Sequence, residues 1–360
     1  MDTGQWVRSE EMGHGVATAV SASFRTLIPF GYNSHESSYW EDSHLNQQYL
    51  SGLVTKAISG FFTVQTERGP IVAQLPGRLK QEWQNTSIVA VGDHVTITLN
   101  KDGTGTIDSV AERHSVLSRT RPSAEARRLV ADQEQVLVAN PDQLVLVFAT
   151  QNPVTNLRKL DRFLVVAEVN ELTAVICVNK IDLVGLAEAR RQFHIYSDIG
   201  YQVIYTSAVT GEGIEELRAC LHDKISVLTG SSGVGKSSLL NAVEPGLGLK
   251  VREVSQTTGK GMHTTRYAEL FPLVAGGYVA DTPGIRGLAL FDLEPWEIDA
   301  YFREMAPLVE TCQFSDCSHR HEPNCAVRAA VEDGRIAPER YESYLRLREE
   351  HEMLDRSAYE

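Results

Sequence analysis

The sequence predicts a multidomain α/β protein: a small five-stranded OB-like β-barrel, then a circularly permuted phosphate-loop domain, then an α-rich, cysteine-bearing C-terminal domain. Three observations predict it. Short β-branched runs broken by Gly, Pro and Asp fill residues 50–110. From about Val136, continuous apolar runs alternate with helical faces around Gly230-Ser231-Ser232-Gly233-Val234-Gly235-Lys236-Ser237. Three cysteines and two histidines then crowd between Cys312 and Cys325.

Composition bounds the rest. A chain of 360 residues suggests two or three domains, and 42% apolar with 22% charged residues is ordinary for a folded protein. The formal net charge of −13 argues against non-specific coating of nucleic acid by the whole chain, while leaving room for a local basic face. Met1 to Gly15 has no apolar core, so no signal peptide is expected. No run of about 18 apolar residues occurs, so no membrane span is expected. Five cysteines without a secretion signal fit a reducing cytoplasm.

In chain order, residues 1–44 read as a polar, partly disordered extension, with Phe30 and Trp40 as its packing residues. Residues 45–115 form the barrel. Its expected strands are Leu50 to Ala57, Gly60 to Thr66, Ile71 to Leu75, Ile88 to Leu99 and Gly105 to Val110. Lys101-Asp102-Gly103 reads as a hairpin turn and Val91-Gly92-Asp93 as a turn at a strand. An oligonucleotide-binding barrel leads, with an SH3-like barrel next. Between Arg113 and Arg128 lies a basic stretch, either a solvated linker or a phosphate-backbone contact.

Residues 116–292 carry the α/β alternation. Leu144 to Ala149 and Ala174 to Val178 are apolar throughout, as buried parallel strands are. Leu157, Leu160, Leu164 and Ala167 mark a helical face, as do Ile214, Leu217 and Leu221. Helices are expected near Ala187 to Gly200 and over Gly213 to His222. A strand over Ile225 to Leu228 leads into the glycine-rich loop, and a helical run from Ser238 follows it. That is the setting a phosphate loop needs. The glycines let backbone N–H groups close around phosphates, and Gly230, Ser231, Ser232, Gly233, Val234, Gly235, Lys236, Ser237 and Ser238 are the candidate contacts. Lys236 reaches the terminal phosphates and the Ser237 hydroxyl ligates Mg²⁺ in such loops.

A second motif reads the base. Asn179-Lys180-Ile181-Asp182 ends a buried strand, and Thr206-Ser207-Ala208 ends the next. The Asp182 carboxylate can accept from the ring N–H and exocyclic amine of guanine, a donor pair that adenine lacks on that edge. A buried acceptor left unpaired penalises the wrong base. Lys180 lies across the base, Asn179 ties the loops, and Ser207 and Ala208 supply a backbone N–H for the guanine carbonyl. Further on, Gly259 to Thr265 is a glycine-broken, threonine-bearing loop. Asp281-Thr282-Pro283-Gly284 follows a short strand; there Asp281 holds Mg²⁺ through water and the Gly284 N–H senses the γ-phosphate. Loops of this kind are released on hydrolysis. The base reader precedes the phosphate loop, the reverse of the ordinary order, so the domain reads as circularly permuted.

Residues 293–360 hold the spacing Cys312-x₄-Cys317-x-His319-x₅-Cys325. Three thiols and an imidazole suit tetrahedral zinc, one Zn²⁺ in all. His319 is preferred over His321, and Asp316 and Glu322 are too hard to be first choices. Pro338 to Leu354 reads as a helix with Tyr341, Tyr344, Leu347 and Leu354 inward. Arg340, Arg346 and Arg348 are on its charged side, with solvation as the default reading and RNA contact as the alternative.

Together these residues resemble the ribosome small-subunit-dependent GTPase A family (RsgA, also YjeQ), over about Tyr49 to Leu354. The resemblance implies an oligonucleotide-binding barrel, a permuted P-loop GTPase domain and a zinc-binding α-rich domain. It implies binding of GTP and GDP with Mg²⁺, and late maturation of the small ribosomal subunit, with hydrolysis stimulated by that subunit and its rRNA. Ile285 follows Gly284 where many GTPases carry a water-orienting Gln, and an apolar side chain cannot orient water. The resemblance points to His263 as its replacement, alongside Lys236 and Thr265 as catalytic residues; Thr265 or Thr264 completes the magnesium shell. A cytoplasmic monomer is expected. The rival reading is a nucleotide-dependent protein-interaction switch without RNA; a metabolic ATPase or kinase is opposed by Asp182.

Overall fold

β-Branched and apolar residues alternate along the first five strands, and the inward set closes a barrel. In this computed structural model the described residues are 48–77, 88–121, 133–249, 268–281 and 293–359. Strands β1 (Tyr49–Ile58), β2 (Phe61–Thr66), β3 (Gly69–Gln74), β4 (His94–Leu99) and β5 (Gly105–Val110) pair in the order β1-β2-β3-β5-β4, and β4 returns to β1. That closure decides for the oligonucleotide-binding type of barrel. Leu50, Val54, Phe62, Val64, Ala73, Val95, Ile97 and Ile107 fill its core. The fourth strand is shorter than its apolar pattern suggests. Residues before His94 instead form a turn in which Asp93, fully buried, accepts the Ala90 N–H at 2.7 Å and a two-pronged ion pair from Arg113 at 2.7 and 2.8 Å. Arg113 therefore serves the barrel's fold, not a solvated linker.

A two-stranded ribbon, β6 (Val116–Arg121) and β7 (Gln133–Ala139), comes next. Its partners are not continuous apolar runs, and the sequence reading missed it. A mostly parallel sheet follows: β8 (Gln143–Ala149), β9 (Thr173–Asn179), β10 (Gln202–Tyr205), β11 (Ile225–Thr229), β12 (Glu269–Pro272) and β13 (Tyr278–Asp281). Their order is β10-β9-β8-β11-β13-β12, with only β12 antiparallel to its neighbour. Helices α1 (Leu157–Val169), α2 (Leu186–Asp198), α3 (Ile214–Leu221) and α4 (Lys236–Val243) cover it. Successive strand residues point to opposite faces. Leu144, Leu146 and Phe148 therefore meet Leu160, Phe163 and Phe193 on one side. Val145, Val147 and Ala149 meet Leu217, Leu221, Leu239 and Leu240 on the other. Two covered faces explain why these strands read as unbroken apolar runs.

β12 also pairs with β1 at Lys56 and Glu269, where the side chains form an ion pair at 2.9 Å. This stitches barrel and α/β sheet into one 11-stranded sheet.

The C-terminal region contains α5 (Ala306–Val309), α6 (Ala326–Glu332) and α7 (Pro338–Tyr359). Phe302, Met305, Val327, Ala330, Tyr344 and Leu347 form its core, joined by Val165 of α1. Leu354 is exposed, so the inward stripe of α7 stops earlier than its spacing suggests. Arg340 and Arg348 are buried, contrary to the solvated-face expectation; Arg346 is exposed and pairs with Glu342.

Candidate functional site

The strand ends bring the two motifs together. β8, β9 and β11 are adjacent parallel strands, so the loops after them open on the same edge of the sheet, where α/β proteins bind ligands. Gly230 leaves β11 with φ 152°, and a Cβ there would stand 2.2 Å from the Val147 carbonyl oxygen. Gly235 caps α4 with φ 97°, and a Cβ there would stand 2.3 Å from Asn179 Nδ2. Both positions therefore require glycine. Val234 is buried beneath the loop, whereas Ser232 is exposed. Ser237 and Ser238 sit in the first turn of α4. Lys236 Nζ donates to the carbonyls of Gly230 at 2.8 Å and Ser231 at 3.2 Å.

Asn179 is the joint between the motifs. It is buried, and its Nδ2 donates to the Val234 carbonyl at 2.8 Å. Its Oδ1 accepts from the Ala208 N–H at 3.3 Å and the Thr206 hydroxyl at 3.4 Å. One carboxamide thus holds three loops in register. Lys180 adopts left-handed backbone, φ 65°, and its ammonium donates to the Gly233 carbonyl at 2.7 Å and to the Asn152 carbonyl. Burial pulls the Lys180 ammonium down from its ordinary value, opposed by the Asp182 charge. Asp182 is exposed, not the buried acceptor that the base-reading argument expects, and accepts from the Ser207 hydroxyl at 2.6 Å. Ser207 Oγ in turn accepts from the N–H groups of Val209 at 3.3 Å and Thr210 at 3.1 Å, which fixes the loop after β10. The exposed carboxylate edge is a ready acceptor for a planar donor pair.

Asp281 ends β13 opposite Leu228 of β11, next to the phosphate loop. Its side chain, and Thr282, Pro283, Gly284, Ile285, His263, Thr264 and Thr265, lie outside the described residues, as do residues 1–47, Arg127 and Arg128.

The second site lies in the C-terminal region. The ligand atoms of Cys312, Cys317, His319 and Cys325 all lie within 4.8 Å of one another. Cys312 Sγ is 3.9 Å from Cys325 Sγ and 3.6 Å from His319 Nδ1, and His319 Nδ1 is 3.3 Å from Cys325 Sγ. Tetrahedral bonds of ~2.3 Å to sulfur would space thiolates about 3.8 Å apart, so the donor set fits a metal such as zinc. The imidazole is oriented from behind. Its Nε2 is 2.9 Å from Asp299 Oδ2, which directs the proton to Nε2 and leaves the Nδ1 lone pair for the cluster. Asp299 is 20 residues away in sequence and carries no motif, so the sequence reading missed it. His321 is exposed. Its N–H donates to Glu322, which also takes the Ser318 N–H, the Ser318 hydroxyl and the Arg320 N–H, tying the loop between the ligands. Tyr341 and Tyr344 of α7 donate to the His319 and Ser318 carbonyls at 2.5 and 3.1 Å.

Comparison with known proteins places this arrangement. The profile of the family described as RsgA GTPase matches residues 110–291, and that of the RsgA N-terminal domain matches residues 51–107. The chain is 44% identical over 303 residues to a protein of Gemmatimonas aurantiaca named small ribosomal subunit biogenesis GTPase RsgA, an alignment covering 83% of this chain and 97% of that one. A Thermotoga maritima protein of the same name is 43% identical over 301 residues, covering 82% of this chain and 95% of that one. Among solved structures, YjeQ from Thermotoga maritima superposes with a TM-score of 0.69 at 40% identity, covering 84% of this chain and 98% of that one. YloQ, described as a circularly permuted GTPase, superposes with a TM-score of 0.65 at 31% identity, covering 86% and 97%.

Proposed function

The chain belongs to the RsgA GTPase family and is a GTP hydrolase; from that premise we propose that it binds the small ribosomal subunit, assists its late maturation and leaves when GTP is hydrolysed. The observation that carries the reading is the Asn179 joint, because it couples a guanine-type base reader to a phosphate loop that follows it in sequence. Asp182 and Ser207 read the base edge, Lys180 lies across the base, and Ala208 offers its N–H. Gly230 to Ser238 cradle the phosphates of GTP or GDP, and Lys236 moves from the loop carbonyls to the terminal phosphates. Ser237 and Asp281 hold Mg²⁺, with Thr265. That ion, when bound, neutralises charge developing between the β- and γ-phosphates. His263 orients the attacking water in place of the Gln that Ile285 replaces. Cys312, Cys317, His319 and Cys325 hold one zinc ion, which ties the C-terminal region together. The barrel and that region grip rRNA, in keeping with small barrels that track single strands. No helix among the described residues is long and apolar enough to cross a membrane. A role on the small ribosomal subunit would put the protein in the cytoplasm, where we propose that it acts as a monomer.

The deciding measurement is GTP hydrolysis with purified small ribosomal subunits, large subunits, or neither. Stimulation by the small subunit alone is expected, and His263→Ala is expected to abolish it while leaving GTP affinity intact. Unchanged hydrolysis with intact GTP binding would replace this reading with a nucleotide-dependent protein-interaction switch.

A further inference from the structure

A third lysine reaches the phosphate loop from a helix that no nucleotide motif includes. Lys159 stands in the first turn of α1, and its Nζ donates to Ser231 Oγ at 3.0 Å. Its ammonium also lies 5.6 Å from the centre of the Phe163 ring, one turn on. The same Ser231 gives its carbonyl to Lys236 at 3.2 Å. Two ammonium groups thus meet one loop residue, Lys236 at its backbone and Lys159 at its side chain.

The position of Lys159 is electrostatically unfavourable for the helix. The N-terminal turn carries partial positive charge and favours anions. Yet the first turn of α1 has no acidic residue, and it carries both Arg158 and Lys159. Arg158 is matched by Glu342 at 2.7 Å. Lys159 Nζ reaches the Ser231 hydroxyl at the edge of the phosphate loop, where a bound polyphosphate would bring negative charge close to it. The hydrogen-bond chemistry points the same way. A lysine ammonium only donates, so Ser231 Oγ is the acceptor and its own proton is free to be donated elsewhere.

We infer that Lys159 is an additional positioning residue for the nucleotide phosphates, acting through the Ser231 hydroxyl and by its charge, and that it favours the triphosphate over the diphosphate. This rests on the phosphate-loop reading above. The charge argument gives the sign: GTP carries one more negative charge than GDP, so a nearby cation stabilises it more, and salt weakens the effect.

The experiment uses the full chain and fluorescent guanine nucleotides, GDP and a non-hydrolysable triphosphate, at low and high salt, with fluorescent ATP as a control. Lys159→Met is expected to weaken triphosphate binding by about tenfold and diphosphate binding by about threefold at low salt, with the gap shrinking in high salt. Lys159→Arg should recover most of the loss. Ser231→Ala should weaken binding too, and adding it to Lys159→Met should cost less than the two losses combined, because both act through one contact. Melting temperatures of all variants are recorded. Wild-type affinities retained in Lys159→Met would overturn the inference. So would equal losses for both nucleotides accompanied by a lowered melting temperature, the mark of a purely structural staple. A wild-type protein that does not prefer GTP to ATP would instead overturn the base-reader assignment, and a wild-type protein that binds no nucleotide would overturn both.

Discussion

Arg340 Nη1 donates to Asp161 Oδ1 at 2.7 Å, and the two side chains are only 1% and 3% exposed. The pair joins α7 of the C-terminal region to α1 of the α/β domain. Arg340 Nε also reaches Glu304 at 2.6 Å, and the Tyr196 phenol donates to the same Asp161 oxygen at 2.8 Å. Burial pushes the Asp161 carboxyl up, while the Arg340 guanidinium opposes it. A charge this deep is tolerated only while its partners are in place.

Removing one partner should therefore be severe. Arg340→Met leaves two carboxylates buried without their cation and is expected to destabilise the protein by about 3–5 kcal/mol. Pairing it with Asp161→Leu should recover part of that loss. Chemical denaturation of the three variants checks this, and an Arg340→Met midpoint equal to wild type would refute the network's role.

Base choice should depend on Asp182. Asp182→Asn presents an amide where guanine offers two donors, so GTP-over-ATP selectivity is expected to fall by at least about 100-fold. Ser207→Ala removes the hydroxyl that holds the carboxylate and should cost less, about tenfold in GTP affinity. Competition binding with both nucleotides reads the two effects, and undiminished selectivity in Asp182→Asn would reassign the base reader.

The phosphate loop has little steric slack. Gly235→Ala would press a methyl group against Asn179 Nδ2, 2.3 Å away, and disturb the joint as well as the loop. Nucleotide binding is expected to be lost in Gly235→Ala and in Lys236→Ala. Only the former should lower the melting temperature. Equal melting curves for the two variants would argue against the steric reading.

Metal removal should loosen the C-terminal region selectively. A strong chelator, or Cys312→Ser, is expected to release one zinc per chain and to expose amides around Ser318 and α6 to hydrogen exchange, because metal-binding free energy is folding free energy in such sites. Asp299→Asn keeps the ligands but loses the anionic partner of His319, and should weaken zinc binding by about 10–100-fold. Acid should act like the chelator, since thiolates and imidazole must be deprotonated to bind. Full protection in metal-free protein would contradict this.

Local chemistry is written in the sequence. Gly230 to Ser237, Asn179 to Asp182 and the spacing from Cys312 to Cys325 each need particular residue types within one loop, so the letters reveal them. The buried strands were legible as well, because a strand covered on both faces must be apolar throughout. The order of the motifs along the chain gave the permutation directly.

Tertiary structure decided whatever depends on residues distant in sequence. The barrel type rests on β4 closing onto β1 and β3 pairing with β5, a choice of partners that alternation cannot specify. Asp299 orients His319, and Lys159 reaches Ser231, 72 residues away, without any local pattern to announce either. Arg340 reads as a surface charge in its own helix. It is buried only because Asp161, 179 residues earlier, and Glu304 meet it there, and a charge can leave water only where its partners are already assembled.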